Sequence, residues 1–156
     1  MASQLSPETS APERHFYGQY QRGLDKKGRV ILPARFREML GNETIFVTKG
    51  IEKCLLLMPL EEYERRSRKM DQLSQTSKKA RLFKRRFFTN TETVKPDGMG
   101  RINIPQFLRE YAGLKGDVVF AGVATHIEIW DAERWNQHQM ELDDEEMQAA
   151  WEGLDI

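Results

Sequence analysis

Residues 25–33 read DKKGRVILP and residues 97–105 read DGMGRINIP, so one pattern of Asp, Gly, Arg and Pro occurs twice in the chain. The correspondence extends without a gap from residues 16–63 to residues 88–135, at a constant offset of 72 positions (88 minus 16). The identical pairs are Phe16/Phe88, Asp25/Asp97, Gly28/Gly100, Arg29/Arg101, Pro33/Pro105, Arg37/Arg109, Glu38/Glu110, Gly41/Gly113, Val47/Val119, Gly50/Gly122 and Glu61/Glu133. The chain therefore consists of two copies of one unit.

A turn between two short strands begins each unit, and this pattern predicts a β-hairpin with the motif at its tip. In the first copy, apolar-biased runs at 16–24 and 29–32 flank four polar or small residues. An Asp at the start of such a turn caps backbone amides, and a Gly at its end supplies a positive φ. The predicted turn-capping residues are Asp25, Gly28, Asp97 and Gly100.

A short helix, a strand pair and a longer helix follow each turn. Pro33 suits a helix start and Gly41 a helix end, because proline lacks the amide that a first helical position leaves unpaired and glycine adopts a left-handed cap. The second copy repeats both residues. Strands are predicted at 45–48, 55–57, 118–121 and 127–130, with longer helices beginning near Pro59 and Asp131. Trp135, Leu142 and Ala149, spaced by seven residues, predict one stripe along the last helix.

The fold class predicted from this order is α+β, with two tandem β-β-α-β-β-α repeats. One unit of about 48 residues is close to the lower limit for burying a core of its own. Two units in one chain would complete each other's sheet, which predicts a fused pseudo-dimer with long flanking helices.

Composition excludes several classes of protein. The chain has 156 residues and one cysteine, Cys54, so neither an internal disulfide nor a cysteine-rich zinc site is possible. The three histidines are not clustered at metal-ligand spacing, and we expect no metal and no cofactor. Without an apolar run of membrane length or a signal-like start, the sequence predicts a soluble, cytoplasmic protein with no membrane contact.

The net charge of zero conceals two charged regions. The last 22 residues, 135–156, carry seven acids and no Lys or Arg, while residues 22–37 carry six basic residues and one acid. The acidic end is equally well explained by a solvated helix or by a tail that complements a basic face.

The basic region predicts contact with double-stranded DNA. Arginine forks onto guanine O6 and N7 in the major groove, whereas lysine neutralises phosphate. Arg29 and Arg101 are the candidate base-reading residues, Lys26 and Lys27 the candidate backbone contacts, and Arg22 and Arg35 further cations of the same region. The alternative for the two arginines is an ion pair with the neighbouring Asp that only stabilises the turn.

Two other sets of charged residues need interpretation. Arg37 and Arg109, next to a Glu in each short helix, are interpreted as structural. Residues 65–86 contain ten basic residues and one acid, and this stretch fits a solvated face, an auxiliary DNA-backbone surface or a membrane-surface helix. Phe83 and Phe87 within it are spaced to contact the core.

The two turn motifs, with Pro33/Arg37 and Pro105/Arg109 behind them, resemble the twin DxxxR motif of the MraZ family. The resemblance extends through CLLLMPLEEYE at 54–64, LREYAGL at 108–114 and IEIWDAERW at 127–135, and it covers about residues 16–140. It implies a swapped-hairpin, AbrB-like barrel in which the strands of the two halves interleave.

The resemblance also implies a function. MraZ proteins are bacterial transcriptional regulators that form rings, bind repeated short sites upstream of division and cell-wall genes, and repress their own operon from the nucleoid. No small-molecule substrate is expected, and no enzyme, because Asp25 and Asp97 occupy turn-capping positions and no nucleophile set or phosphate loop accompanies them. The alternative is a ring-forming scaffold or nonspecific nucleoid protein.

The division expected along the chain has five parts. These are a flexible extension at 1–15, a first AbrB-like repeat at 16–75, a basic connecting helix at 76–87, a second repeat at 88–140 and an acidic tail at 141–156.

Overall fold

The computed structural model describes residues 15–156, so the predicted extension at 1–15 lies outside the described residues except for its last position. The strands in this range are β1 (Gln19–Gly23), β2 (Arg29–Ile31), β3 (Ile45–Lys49), β4 (Leu55–Pro59), β5 (Glu92–Val94), β6 (Arg101–Asn103), β7 (Asp117–Val123) and β8 (His126–Asp131). The helices are α1 (Ala34–Leu40), α2 (Leu60–Asp71), α3 (Lys78–Thr89), α4 (Gln106–Ala112), α5 (Ala132–His138) and α6 (Asp144–Gly153). This order confirms the α+β class and the tandem repeat.

The two halves exchange strands. Six antiparallel strands form a sheet in the order β1-β7-β8-β4-β3-β5, so β1 of the first half pairs with β7 of the second, and β5 of the second half pairs with β3 of the first. The pairing of β4 with β8 joins the halves at the centre of the sheet. Strands β2 and β6 form a separate two-stranded ribbon. Across the first turn β1 does not pair with β2, and across the second β5 does not pair with β6. The predicted hairpins are therefore wrong, because each of these strands pairs with a strand of the other half.

The six-stranded sheet is open. Its edges are β1 and β5, which are not hydrogen-bonded to each other, and the β2–β6 ribbon is a second sheet. The strands thus interleave as predicted, but they do not close into a hydrogen-bonded barrel.

One hydrophobic core serves both halves. Val30 and Phe36 from the first half and Ile102 and Leu108 from the second are all buried in one cluster. The Phe36 ring lies edge-on to Phe16 at a centroid distance of 5.9 Å. A half taken alone would leave these side chains in water, which explains why the two units occur in one chain.

The helices begin close to the predicted positions. Pro33 and Pro105 are the N-cap residues of α1 and α4, and Gly41 and Gly113 follow these helices at positive φ. Helix α2 packs on the sheet by stacking Tyr63 on Phe46, with ring centroids 4.0 Å apart.

The helix that carries the ten-cation stretch only partly matches its prediction. Phe87 is half-buried and its ring centroid lies 6.0 Å from that of Tyr63, as its spacing predicted. Phe83 is 51% exposed, so the prediction that it contacts the core is wrong.

The C-terminal region forms two helices instead of one. Helix α5 ends at His138, and α6 starts anew at Asp143, whose carboxylate accepts the Glu146 amide while Glu146 accepts the Asp143 amide. This capping box sets a new helix start, so Trp135 and Ala149 lie on different helices and the predicted seven-residue stripe is wrong. The acidic end is a helix whose side chains are all exposed.

Candidate nucleic-acid interface

The two turn motifs adopt the same hydrogen-bonded geometry. Oδ1 of Asp25 accepts the backbone amides of Lys27 and Arg29 at 2.9 and 2.8 Å, and its Oδ2 accepts Nε of Arg29 at 2.9 Å. In the second half, Oδ1 of Asp97 accepts the amides of Met99 and Arg101, both at 2.9 Å, and Oδ2 accepts Nε of Arg101 at 2.8 Å. Each Asp therefore fixes both its turn and the neighbouring guanidinium.

Two buried glycines let the halves approach closely. Gly28 and Gly100 have φ of 84° and 81°, in the left-handed region that glycine tolerates. A Cβ on Gly28 would overlap the guanidinium of Arg109, and a Cβ on Gly100 would overlap that of Arg37. Each short helix thus places its arginine over the turn of the other half.

The same two arginines also bind backbone in their own half. Nη1 of Arg37 donates to the carbonyl of Leu32 at 2.7 Å, and Nη1 of Arg109 donates to that of Ile104. The halves are further joined by the Leu32 amide, which donates to Gly100 at 2.9 Å. These contacts support the structural interpretation of Arg37 and Arg109.

The β2–β6 ribbon brings both candidate base-reading arginines to one surface. In its antiparallel register Arg29 lies opposite Asn103 and Arg101 lies opposite Ile31. Val30 is buried against the core, so these four side chains occupy the outward side. We call this side, formed by Arg29, Ile31, Arg101 and Asn103, the ribbon face.

The candidate phosphate-contacting lysines lie at one end of the ribbon. Lys26 and Lys27 are exposed in the first turn, whereas the second turn presents Gly98 and Met99. The ribbon is consequently more basic at one end than at the other.

The two further cations of the region lie beside aromatic rings. Arg35 lies over the ring of Tyr17, 4.2 Å from its centroid, and Arg22 lies 5.8 Å from that of Tyr20. Both rings precede the first turn. Arg22 and Arg35 therefore flank the turn without belonging to the ribbon face.

Residues 15–156 contain neither a cluster of metal-binding side chains nor a membrane-spanning helix. No group of three or more His, Cys, Asp or Glu side chains is placed to hold a metal ion. No helix of this range has the length and apolar character needed to cross a membrane.

Comparison with known proteins follows the same division into halves. The family model described as "MraZ protein, putative antitoxin-like" matches residues 15–86 and again residues 87–154. The chain belongs to the MraZ family.

Curated MraZ relatives match almost the whole chain. A protein of Acetivibrio thermocellus named "Transcriptional regulator MraZ" is 47% identical over 134 residues, which cover 86% of this chain and 91% of that protein. Proteins of the same name from Halothermothrix orenii and Symbiobacterium thermophilum are 41% and 45% identical, covering 90% and 80% of this chain and 99% and 89% of theirs. These relatives are named as regulators and not as enzymes.

Sequence reasoning missed two residues of the ribbon face in this MraZ chain. Ile31 is 45% exposed and Asn103 is exposed, although both lie in strands. The signal was available, because side chains alternate along a strand and positions 31 and 103 are equivalent in the repeat. The sequence did not predict the register of β2 with β6, which places Ile31 and Asn103 beside the arginines.

The pKa values of the two turn carboxyls predict an acid-sensitive turn. The backbone amide of Arg29 is the main cause that lowers the pKa of Asp25 below its ordinary value of 3.8, and the Arg101 amide does the same for Asp97. Because both pKa values are lowered on folding, the stabilisation is present above pH 3.8 and is lost as the pH falls below it.

We expect Asp25→Asn/Asp97→Asn to unfold a few degrees below the wild type at pH 7, since the exposed ion pairs are weak. This difference should shrink as the pH is lowered below 3.8, because the wild-type carboxyls then take up protons and lose their charge. Thermal unfolding followed by circular dichroism measures both values. A difference that stays constant over the whole range would show that ionisation of these carboxyls does not stabilise the turns.

Proposed function

We propose that the protein is a sequence-specific DNA-binding transcriptional regulator whose ribbon face reads bases in the major groove. The observation that carries this proposal is the register of β2 and β6, which sets Arg29 and Arg101 diagonally across one outward surface. A two-stranded ribbon fits the major groove and is used there by other regulators. The names of the MraZ relatives support the same function.

The spacing of the two arginines suits two bases that are two steps apart. They are diagonal in the register, two residues apart along the ribbon, which is about 7 Å. Successive bases on a strand are about 3.4 Å apart, so this offset matches about two base steps. The Asp bond to Nε holds each guanidinium in a fixed plane, and a planar fork held in one direction suits the bidentate acceptors of guanine.

The two newly placed residues give the ribbon face further selectivity. An asparagine side chain can pair with adenine N6 and N7, and an apolar side chain can contact the thymine methyl group. We propose these roles for Asn103 and Ile31. Ile31 and Asn103 occupy equivalent positions in the two halves but differ in chemistry. The DNA sequence read by one chain is therefore not a palindrome.

Family membership supports a proposal for where the protein acts, which genes it represses and how it assembles. We propose that the protein acts on the nucleoid in the cytoplasm, represses its own operon of division and cell-wall genes, and binds repeated short promoter sites as a ring. One ribbon contacts few base pairs and would bind weakly, so several copies bound along repeated sites supply the affinity. The proposed ligand is double-stranded DNA, without a cofactor or a small-molecule substrate.

A titration tests this proposal. The wild type is added to labelled DNA from the region directly upstream of its gene, with DNA of the same composition in shuffled order as competitor. Preference for the upstream DNA supports the regulator. Equal binding to both DNAs would favour the nonspecific nucleoid protein, and assembly without any binding would favour the scaffold.

The unequal turns predict an unequal salt dependence. We expect Lys26→Ala/Lys27→Ala to reduce the slope of log affinity against log salt by about 1 for each phosphate contact removed. Gly98→Ala/Met99→Ala, at the same positions of the other turn, should leave the slope unchanged. Binding isotherms at four salt concentrations measure the slopes. An equal loss in both variants would contradict the proposal that the first turn dominates phosphate contact.

A further inference from the structure

Helix α6 carries an apolar stripe that no other part of residues 15–156 covers. Met147, Ala150, Trp151 and Leu154 recur at helical spacing along one side of it. Trp151 is 55% exposed and Leu154 is 67% exposed. Asp144 and Glu146 stand on either side of the stripe, and α6 contains no basic residue. A large aromatic ring in water on an acidic helix is typical of a surface that binds a partner.

A groove of matching character lies between α2, α3 and the β3–β4 loop. It encloses about 530 Å³ and is lined by Ile51, Met70, Phe83 and Phe87, among others. Ile51 is 94% exposed. The cations that line the groove are Lys49, Arg66 and Arg86, and Lys78, Lys79, Arg81 and Arg85 are exposed elsewhere on α3. We call this surface the α2–α3 groove.

The charges of the two surfaces are complementary. The stretch 65–86, which contains α2 residues and most of α3, has ten basic residues and one acid, whereas 135–156 has seven acids and no Lys or Arg. Opposite charge around an apolar contact steers two surfaces together and fixes their orientation. A tryptophan buries about 150–250 Å² of surface, and the groove is large enough to receive one.

The position of α6 favours the groove of another copy over its own. Nε2 of His138, at the end of α5, lies 3.0 Å from Oε2 of Glu52 in the β3–β4 loop. Because Glu52 lines the groove, the segment that leads into α6 begins beside the groove of its own chain. Every residue from 139 to 156 is nevertheless exposed, and the helix does not lie in that groove. The groove and the stripe of one chain are therefore both open to a second chain.

We infer that the apolar stripe of α6 docks into the α2–α3 groove of a second copy of this chain, with Trp151 as the anchor. Each copy gives one helix and receives one, which is a heterologous contact that generates a ring when the rotation closes. This inference rests on the oligomer of the proposed function and not on its DNA binding. It names the surfaces that would join the copies.

DNA is the less suitable occupant of the groove. Aromatic and aliphatic side chains form its floor, whereas a backbone contact needs only cations.

Mass measurement by light scattering on a sizing column, without DNA, tests the contact. We expect the wild type to be an oligomer and Met147→Ala/Trp151→Ala to be a monomer at the same concentration. Glu145→Gln/Ala149→Gln, on the far side of α6, should stay assembled. Since all four side chains are exposed within the single chain, these variants should keep the circular dichroism spectrum of the wild type, which shows that the fold is unchanged.

Disulfide trapping then distinguishes the copies. Phe83→Cys and Trp151→Cys chains, mixed and oxidised, should form a linked heterodimer that neither chain forms alone. Native Cys54 is buried, which raises the pKa of its thiol to about 12, but it also lines the groove, so both chains carry Cys54→Ala as well.

Each remaining outcome overturns the inference in a recognisable way. A monomeric wild type would remove the proposed oligomer as well. An oligomer that survives Met147→Ala/Trp151→Ala would leave the oligomer standing and exclude this contact. A link formed only within a chain that carries both cysteines would assign the groove to its own α6. Loss of DNA affinity with unchanged mass on Lys49→Ala/Arg86→Ala, in a protein whose stripe variant also stays assembled, would assign the groove to DNA.

Discussion

Arg29→Ala/Arg101→Ala is expected to bind the upstream DNA at least about 30-fold more weakly than the wild type. A bidentate arginine–guanine contact contributes about 1–3 kcal/mol of discrimination, so losing two costs at least about 2 kcal/mol, and 1.4 kcal/mol corresponds to a factor of ten. Binding to shuffled DNA should fall much less, because that binding depends on charge and not on base edges. Competition titration of both DNAs measures the two effects.

Two control variants separate base reading from charge and from folding. Arg29→Lys/Arg101→Lys keeps both positive charges but lacks the fork, and we expect it to lose selectivity while keeping its salt slope. Arg68→Ala/Lys69→Ala removes two cations from the last turn of α2 and should retain selectivity. If this control lost as much selectivity as Arg29→Ala/Arg101→Ala, the ribbon face would not be the reading surface.

Gly28→Ala is expected to lower the free energy of unfolding by about 1–3 kcal/mol, since a non-glycine residue at a φ of 84° is strained. The new Cβ would also displace the Arg109 guanidinium, which holds the Ile104 carbonyl. The turn that positions Arg29 would then shift, and selective DNA binding should fall together with stability. Urea unfolding and the competition titration measure these two quantities.

The matched control lies in the equivalent turn of the other half. A Cβ on Gly98 meets no atom within 4 Å and Gly98 is not at positive φ, so Gly98→Ala should change stability by less than about 0.5 kcal/mol. Gly100→Ala should behave like Gly28→Ala, because its Cβ would overlap Arg37 in the same way. Equal stability of Gly28→Ala and Gly98→Ala would contradict the close approach of the two halves.

Much of the fold could be predicted from local sequence. The offset of 72 positions identifies the repeat, the Asp and Gly of each motif identify the turns, and the Pro and Gly pairs locate α1 and α4. These are features in which a residue acts on its immediate neighbours. The family resemblance added the interleaving, which a pattern of apolar residues alone does not specify because either half could supply the neighbouring strand.

The remaining features depend on contacts between distant residues. Arg37 and Arg109 have the same local sequence as any helix surface arginine, and only strand exchange places them over Gly100 and Gly28. The register of β2 with β6 likewise depends on packing in the shared core, and it alone defines the ribbon face. The error at Phe83 has the same origin, because helical spacing does not determine which side of α3 faces the sheet.

Methylation protection by dimethyl sulfate tests most directly whether the ribbon face reads the major groove. The reagent methylates guanine N7 in the major groove and adenine N3 in the minor groove, so it reports which groove is covered. We predict that the wild type protects guanine N7 at pairs of guanines two base steps apart in the upstream DNA, and that Arg29→Ala/Arg101→Ala, at concentrations that restore occupancy, leaves them reactive. Protection that persists in this variant, or that is confined to adenine N3, would contradict the account.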